Sequence, residues 1–306
     1  MANRWLGNGA IQNELANIMK SREVIWVQVS KSRDKPFWVR KSRVGDSKGI
    51  KYWLDTLQWP YYSIGGFIGT NIINWDAMGE LPPPLRSPSK TRKAYSDRWN
   101  KVVFPKGCKE LGLVWEDIWV GKTLLFDYDN PDNPLLAFKR AEDTARYLKN
   151  KYNATSYIVF SGSKGFHVHV GQEDTERITG KKPIDFIEHK DPLRQLGKHY
   201  AHVVEEIAQK ATGVKFPLAD RSSNFRQGIV RCPYTIHPKT GQIVWPIAPK
   251  GLRKLRSMEE ATIMDVAKAL HTWDIPCQSH IPEEGSLTYL TPESKCIDRG
   301  LIAWEE

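Results

Sequence analysis

Cysteine is scarce in this sequence and forms no motif. Four of the 306 residues are cysteine, and no two of them have a CxxC spacing. They are Cys108, Cys232, Cys277 and Cys296. A disulfide framework and a zinc ribbon both require closely spaced cysteines, so neither is expected. A reduced, intracellular setting fits this pattern best.

Long apolar runs are missing as well. The first residues, MANRWLGNGAIQNEL, lack the continuous apolar core of a signal peptide, and no stretch reaches the roughly 18 apolar residues of a membrane span. The richest apolar stretch, residues 59–75, is interrupted by Ser, Gly, Thr and Asn, and it predicts buried strands and turns. We find no internal repeat and no low-complexity tract. A cytoplasmic protein without membrane association is expected.

Positive charge is what the sequence has in excess. Lysine and arginine number 45 against 35 acidic residues, which gives a formal net charge of +10. A field of this sign attracts polyanions, and nucleic acid is the first candidate. The alternative is that a basic isoelectric point only keeps the protein in solution.

The hydrophobic patterns predict an α/β or α+β domain with a mixed sheet and flanking helices. A helix over 11–22 is followed by two strand-like segments, 23–30 and 35–42, which predict a hairpin. Further along, the patterns predict a strand over 122–129, a helix over 138–152, a strand over 156–161, a helix over 193–213, a hairpin between QGIVRC and QIVWPI, and a helix over 257–273.

A pair of carboxylates ends the predicted strand at FDYDN. Asp127 and Asp129 are two residues apart, so their side chains point to the same face of a sheet. They repel each other unless a cation lies between them, and oxygen ligands of this kind are those that Mg²⁺ or Mn²⁺ prefers. For a lone DxD, the more common explanation is an acidic strand end that caps a turn, here with Asn130 and Pro131.

The next predicted strand closes with a small turn, SGSKGFHVHV. Backbone amides, the Ser161 hydroxyl and the Lys164 ammonium of such a turn can reach phosphate oxygens, with the His167 imidazole beside them. His169 shares a strand face with His167 and has a structural role in the simpler interpretation. The pattern predicts a triphosphate cradle, and the alternative is a glycine turn before a half-buried strand.

A third segment, residues 218–241, supplies one more carboxylate and several donors. Asp220 follows an apolar pair, and Arg231 and His237 come after it. Three carboxylates can bridge two cations, which activate a primer 3′ hydroxyl and stabilise departing pyrophosphate in an in-line displacement.

In this order the three motifs resemble the archaeo-eukaryotic primase superfamily, and within it the small catalytic subunit of archaeal and eukaryotic DNA primase. The resemblance extends densely over residues 127–241. It implies that Asp127, Asp129 and Asp220 are catalytic and bind two Mg²⁺ or Mn²⁺ ions. It also implies nucleoside triphosphate contacts from Ser161, Lys164, His167, Arg231 and His237. The implied activity is template-directed nucleotidyl transfer on a single-stranded DNA template and primer.

One departure from that family concerns zinc. The family's small subunits carry a Cys and His cluster beside the catalytic core, and the segment between FDYDN and SGSKGFH has none. We therefore expect no structural zinc. The short connection is more similar to compact primase-polymerases of plasmids, viruses or mobile elements. Because no helicase motif is present, unwinding is expected from a helicase or another replication subunit.

We treat residues 1–306 as one catalytic domain. Its segments are an N-terminal helix with strands (1–78), a proline-rich basic loop (79–106), the motif-bearing core (107–250) and a C-terminal helical segment (251–306). Four prolines between 79 and 88 predict the loop. Its Lys90, Arg92 and Lys93 are candidate nucleic-acid contacts, with Tyr95 and Trp99 either stacking on bases or belonging to the core.

Weaker and competing interpretations stay open. Arg22 and Arg40 lie in segments that match the family loosely. Each of them either lines the active cleft or has a surface or structural role. SGSKGFH and CPYT are also similar to motifs of bacterial end-joining repair polymerases of the same superfamily. A non-catalytic nucleic-acid-binding subunit is the third reading, against which the three intact carboxylates argue.

Overall fold

A computed structural model describes residues 6–7, 9–29, 37–57, 63–79, 87–215, 219–226, 228–237, 240–247, 249–262, 264–266 and 270. The strands are β1 (Val24–Val29), β2 (Phe37–Ser42), β3 (Ser63–Gly69), β4 (Asn71–Ile73), β5 (Trp119–Lys122), β6 (Leu125–Asp129), β7 (Ser156–Phe160), β8 (Gly165–Val170), β9 (Ile229–Arg231) and β10 (Trp245–Pro246). The helices are α1 (Gly9–Met19), α2 (Ser47–Thr56), α3 (Ser89–Val102), α4 (Pro105–Glu110), α5 (Trp115–Ile118), α6 (Pro134–Tyr152), α7 (Gln172–Thr179), α8 (Pro192–Thr212) and α9 (Pro249–Arg256).

The first sheet has the strand order β2-β1-β3-β9, and every pairing in it is antiparallel. The predicted first helix and the hairpin after it are confirmed as α1, β1 and β2. β1 is rich in β-branched and aromatic side chains, and residues 24–27 of it are all buried. α1 and α2 pack on each other and contribute to the same core as β1.

The second sheet has the order β10-β7-β8-β6 and carries the first two motifs. The predicted strand, helix and strand are confirmed as β6, α6 and β7. Asn133 caps α6 by accepting from the Leu136 amide, with Pro134 at the first helical position, and Asn153 ends the helix at φ 48°. β6 and β7 run in the same direction but do not pair with each other, because β8 lies between them and pairs with both.

The predicted α+β class is confirmed, with a correction to the mixed sheet. Every strand pairing in the described ranges is antiparallel. The reason is that β8 follows β7 through a tight turn and lies between β7 and β6. These two strands run parallel to each other but are therefore not hydrogen-bonded to each other.

Two hydrophobic clusters form the interior. The larger one joins both sheets with α1, α2, α6 and α8. The smaller one, the tryptophan cluster, lies under α3–α5, and its buried members are Ile73, Trp75, Met78, Tyr95, Trp99, Val102, Val103, Cys108, Trp115, Ile118, Trp119 and Leu193. Tyr95 and Trp99 are 4% and 3% exposed, so they belong to the core and are not available to stack on bases.

The prediction of a loop over 79–106 is wrong for its second half. Residues from Ser89 to Val102 form α3, which begins directly after Pro88, and α4 follows at Pro105. Tyr95, Trp99 and Val102 have helical spacing and bury one face of α3, while the basic residues occupy the other. The burial of this face outweighs the signal from the prolines, three of which lie outside the described residues.

The predicted hairpin between QGIVRC and QIVWPI is also wrong. β9 pairs with β3 in the first sheet, and β10 pairs with β7 in the second. Between these strands the chain does fold back on itself: the Tyr234 amide donates to the Val244 carbonyl and the His237 amide to the Gln242 carbonyl, both over 2.7 Å, beside the bridge between Ile236 and Ile243. The predicted helix over 257–273 is wrong for its start, because residues 257–262 form a turn and bends; residues 264–266 are helical, and most of the remainder lies outside the described residues. Within those residues, no helix combines the length and apolar character needed to cross a bilayer.

Candidate active site

Asp127 and Asp129 lie on β6, beside the strand that carries the histidines. Antiparallel pairing sets Asp127 opposite His167 and Asp129 opposite Gly165. Asp220 arrives from a distant segment, and its backbone amide donates to the Asp127 carbonyl oxygen over 2.7 Å. The three residues that sequence analysis grouped are therefore neighbours in space.

The environment of Asp127 destabilises the charged form of its carboxyl group. Burial raises its pKa to about 7, and the charges of Asp129 and Asp220 add to that rise, against smaller opposing effects of Lys164 and a Ser223 hydrogen bond. Its buried Oδ1 has no hydrogen-bond partner, with His167 Nε2 at 3.4 Å. A buried, unsatisfied carboxylate oxygen beside two more carboxylates fits the requirement of a divalent cation.

The carboxylate of Asp220 is engaged elsewhere in this structure. Its Oδ1 accepts from the Ser222 amide and its Oδ2 from the Ser222 hydroxyl, both at 2.8 Å, so that it stabilises the short 3₁₀-helix Ser222–Asn224. In the described ranges, no three His, Cys, Asp or Glu side chains are gathered as a ready metal site. Metal binding by all three aspartates thus remains a prediction.

The SGSKG turn joins β7 to β8 as a compact loop. Ser161 Oγ accepts from the amides of Ser163 and Gly165, at 3.4 and 3.1 Å. Gly162 has φ of 78°, and a Cβ there would lie 2.9 Å from His237 Cβ. Both glycines of the turn are required, because a Cβ on Gly165 would lie 1.8 Å from the Tyr128 carbonyl oxygen.

His237 belongs to a second turn that is fastened to the first. The Thr240 hydroxyl donates to the Gly162 carbonyl over 2.6 Å, and the Thr240 amide donates to His237 Nδ1 over 3.2 Å. Because Nδ1 accepts this bond, a neutral His237 ring carries its proton on Nε2. His237 and Thr240 of the HPKTG segment, whose residues 238–239 are not described, thereby lie beside the SGSKG turn.

The two histidines of β8 differ in their surroundings. Burial lowers the pKa of His167 to about 4, so the ring next to Asp127 is neutral at physiological pH. His169 stacks on Tyr157 with 5.0 Å between ring centroids, and burial holds its pKa well below the ordinary value. The structural interpretation of His169 agrees with this packing.

Two cations complete the site. Lys164 Nζ lies 3.5 Å from Asp129 Oδ2, and its side chain is 62% exposed. The Arg231 guanidinium lies 4.4 Å from the Phe67 ring centroid. Burial lowers its pKa to about 10, against the opposing influence of Asp127 and Asp129, so it stays charged near neutral pH.

These residues line one cleft of about 180 Å³. Its walls are Phe67, Asp127, Asp129, Ser161, Ser163, Lys164, His167, Ile229, Val230, Arg231 and His237. All the residues predicted to contact nucleotide are among them, together with two of the three aspartates. The remaining one, Asp220, adjoins the cleft through its bond to Asp127. Lys90, Arg92 and Lys93 are not in it and lie exposed on α3.

Two residues that contribute to the site are not evident from the sequence, and the sequence also does not decide whether Arg22 and Arg40 line the cleft. Phe67 supports Arg231 and Ser223 hydrogen-bonds Asp127, yet neither residue type nor spacing distinguished them. Arg22 turns to the interior, where it donates to the Gly69 carbonyl over 2.9 Å and to Thr123 Oγ1 over 3.1 Å. Arg40 is exposed on β2. Neither lines the cleft.

No protein-family model matches the sequence. A curated relative, the DNA primase small subunit of Pyrobaculum aerophilum, is 25% identical over an alignment of 207 residues, and the match covers 56% of this chain. The match covers 65% of that subunit, so the chain spans slightly less than two thirds of the relative's length.

Among solved structures, the polymerase domain of Mycobacterium tuberculosis ligase D in complex with DNA aligns with 89% of this chain and 88% of its own. The TM-score is 0.47 and the identity 10%, values at which no function is inferred from shape. By sequence, the chain is weakly similar over about half its length to the DNA primase small subunit, which confirms the resemblance of its motifs to the archaeo-eukaryotic primase superfamily.

Proposed function

We propose that the chain is a template-directed nucleotidyltransferase of the DNA primase or primase-polymerase kind, which makes or extends primers on DNA. One observation carries the proposal. Three segments far apart in sequence place two carboxylates, two cations and two histidines around one cleft, with a third carboxylate adjoining it. This is the donor set that a metal-bound triphosphate requires.

Asp127, Asp129 and Asp220 are the proposed ligands of Mg²⁺ or Mn²⁺, and two ions are what the resemblance implies. When bound, the ions supply positive charge that offsets the carboxylates and the phosphates. The raised pKa of Asp127 and its unsatisfied Oδ1 support this assignment, since both describe a carboxylate that lacks its counter-charge. Each Asp220 oxygen accepts one hydrogen bond from Ser222 and keeps a second lone pair for a cation.

Lys164, Arg231 and Ser161 are proposed to hold the triphosphate. The exposed Lys164 ammonium can turn from Asp129 towards a phosphate oxygen, whereas Arg231 is held in place by the Phe67 ring. Ser161 Oγ already accepts from two amides, so its hydroxyl proton is available to donate.

The two cleft histidines are proposed as neutral donors. His167 lies beside Asp127 and stays uncharged at physiological pH, so it binds phosphate as a hydrogen-bond donor and not as a cation. His237 presents Nε2 as its protonated nitrogen, because Nδ1 accepts from Thr240. Both rings are buried, which limits their freedom to leave the site.

Single-stranded DNA is the proposed template, and Lys90, Arg92 and Lys93 on the exposed face of α3 are proposed to contact its phosphates. A primer and nucleoside triphosphates complete the substrates, and an intracellular site of action follows from them. A helicase or another replication subunit is the proposed source of unwound DNA.

The test is incorporation by the pure protein on single-stranded DNA with Mg²⁺ or Mn²⁺ and separate ribonucleotide and deoxynucleotide pools, read as product length. Asp127→Ala, Asp129→Ala and Asp220→Ala are each expected to lower incorporation at least about 100-fold without unfolding the protein. Wild-type rates from any one of them at saturating metal would remove that residue from the mechanism.

The same preparation separates the competing functions. Initiation on a bare template would identify a primase, and extension without initiation a primer-dependent polymerase. Synapsis of broken DNA ends would favour end-joining repair. DNA binding without incorporation under all of these conditions would contradict the proposed activity and leave a binding subunit.

A further inference from the structure

A second cleft of about 440 Å³ lies apart from the first and shares no lining residue with it. It is formed where the chain enters α8, and Phe104, one of the two residues between α3 and α4, closes it. Its lining residues are Phe104, His189, Lys190, Asp191, Arg194 and Gln195. None of these residues was singled out by the sequence, and the proposed catalytic chemistry uses none of them.

The charge of this second cleft is positive. Lys190 and Arg194 are exposed, and His189 is exposed next to them. The one acidic lining residue, Asp191, is already engaged: its Oδ2 lies 3.1 Å from Arg226 Nη1, and its Oδ1 accepts from the Arg194 amide over 3.2 Å. The side chains of Lys190 and Arg194 are thus left to attract an anion.

The floor of the second cleft is aromatic and fixed. Phe104 is half-buried and packs on the tryptophan cluster, to which Leu193 of α8 also belongs. The Arg226 guanidinium lies 4.6 Å from the Phe104 ring centroid, and the Arg226 carbonyl accepts from Asn71 Nδ2 over 2.9 Å. An aromatic ring among cations is the combination that holds the bases and phosphates of a single strand.

One segment of chain connects the two clefts. Asp220 lies beside Asp127 in the catalytic cleft, and six residues later Arg226 borders the second cleft. Six residues span at most about 20 Å, so only a few nucleotides are needed to reach from one cleft to the other. Phe225, which is 45% exposed, lies between them on this segment.

The connecting segment is also anchored from within. The buried Lys122 ammonium donates to the Phe225 carbonyl over 3.3 Å, to Thr70 Oγ1 over 2.7 Å and to Asn71 Oδ1 over 3.1 Å. The Phe225 backbone is therefore held in place before any strand binds, and a strand that passes it does not have to order it.

We propose that the second cleft binds single-stranded DNA, as a subsite for the template strand that passes the catalytic cleft. That the bound strand is the template rests on the proposed function. That the cleft binds single-stranded DNA rests on the residues of the cleft itself. Lys190 and Arg194 contact phosphates, and the Phe104 ring receives a base.

The experiment is fluorescence anisotropy of a labelled oligodeoxynucleotide across a salt titration, without nucleotide or divalent metal. The double variant Lys190→Ala, Arg194→Ala is expected to weaken binding about tenfold and to lower the salt slope by about 1.4, as two phosphate contacts on a single strand require. Phe104→Leu keeps the packing and is expected to weaken binding several-fold with an unchanged slope. The matched control is Lys149→Ala, Lys151→Ala, two exposed lysines in the last turn of α6, at the sheet end away from Asp129.

An affinity and slope equal to wild type in the double variant would overturn the inference, and so would wild-type protein that binds no single-stranded DNA. Tighter binding of RNA of the same sequence, lost in the double variant, would reassign the cleft to RNA. The absence of cross-links from 4-thiothymidine DNA to peptides that contain residue 104 or residues 189–195 would also contradict it. Protein that binds DNA through this cleft but incorporates no nucleotide would refute the proposed function alone.

Discussion

Two carboxyl groups, Asp127 and Glu14, are buried with little compensation, and their surroundings give them different meanings. Asp127 stands beside two further carboxylates at an open cleft, where a cation can reach it. Glu14 lies on α1 within the interior, 3% exposed, and its Oε2 has no hydrogen-bond partner. At Asp127 the cost of burial has a proposed use in metal binding, whereas at Glu14 it is a cost to stability alone.

Replacing Glu14 by Gln is expected to stabilise the protein at high pH. Burial raises the pKa of Glu14 from its ordinary value of 4.5 to about 7, so the folded state holds a proton that the unfolded state releases. Stability therefore falls as the pH rises from about 4.5 to 7, and the full cost, on the order of 3 kcal/mol, is present above pH 7. Urea denaturation at pH 5 and pH 8 measures the difference.

The expected gain from Glu14→Gln is small at pH 5 and large at pH 8. Glu260→Gln, which changes an exposed carboxylate, is the matched control and is expected to have little effect at either pH. The same gain at both values would mean that Glu14 is neutral or paired over this whole range.

Losses of single phosphate donors are expected to affect both nucleotide affinity and rate. His237→Ala and Lys164→Ala are each expected to raise the nucleotide KM and to lower kcat by about tenfold or more, because a fixed donor binds the triphosphate and stabilises the charge of leaving pyrophosphate. Steady-state incorporation across a nucleotide titration measures both. DNA affinity without nucleotide is expected to stay at the wild-type value. Unchanged KM and kcat in His237→Ala would reduce the HPKTG turn to a structural connection.

At the scale of elements, α3 combines a buried aromatic face with an exposed basic face. Neutralising Lys90, Arg92 and Lys93 together by Ala is expected to weaken single-stranded DNA binding and to lower its salt slope by about 2, since three phosphate contacts are lost. Alanine favours the helix, so α3 itself is expected to persist. The Lys149 and Lys151 double variant is again the control, and an unaltered slope would assign the face to solvation.

Elements with a strong local pattern could be predicted, and those fixed by distant contacts could not. β1, β6, α6 and α8 follow from periodicity and caps, and the motifs meet because β6 and β8 are neighbours. α3 was not predicted because the prolines before it indicate a loop. The helix is stabilised by its aromatic face, which packs on Trp75 and Trp119 of other segments, and this contact is not visible in the local sequence. In the supposed hairpin, the chain pairs locally through Ile236 and Ile243. Its outer strands β9 and β10 pair instead with β3 and β7, which belong to different sheets.

The same distinction holds within the site. The carboxylates and the glycine turn could be predicted because three motifs occur in one order, although each motif alone has a structural explanation. Phe67 did not, because an aromatic residue in a strand is ordinary until Arg231 is placed over it. Asp220 was grouped correctly with its partners, but its hydrogen bonds to Ser222 are a local turn geometry that the motif did not reveal.

For the whole molecule, we expect no stoichiometric zinc. The sequence has no Cys and His cluster between its first two motifs, and Cys108 and Cys232, the cysteines among the described residues, are both buried and free. Metal analysis of the purified protein tests this, and a zinc chelator is expected to leave the thermal midpoint unchanged. One tightly bound zinc per chain would show that cysteines distant in sequence converge.

The crossing of the chain from the second sheet to the first has a consequence for biosynthesis. Asp220 and Arg231 follow β8 by some fifty positions, and the Thr235 hydroxyl then closes a contact with the Gly66 carbonyl across 169 residues. A growing polypeptide that has emerged only through β8 holds the first two carboxylates, the glycine turn, Lys164 and His167, but it lacks Asp220, Arg231 and His237. Products of interrupted translation that end before residue 237 would therefore lack part of the proposed catalytic site, and the site would be complete only after both sheets have joined.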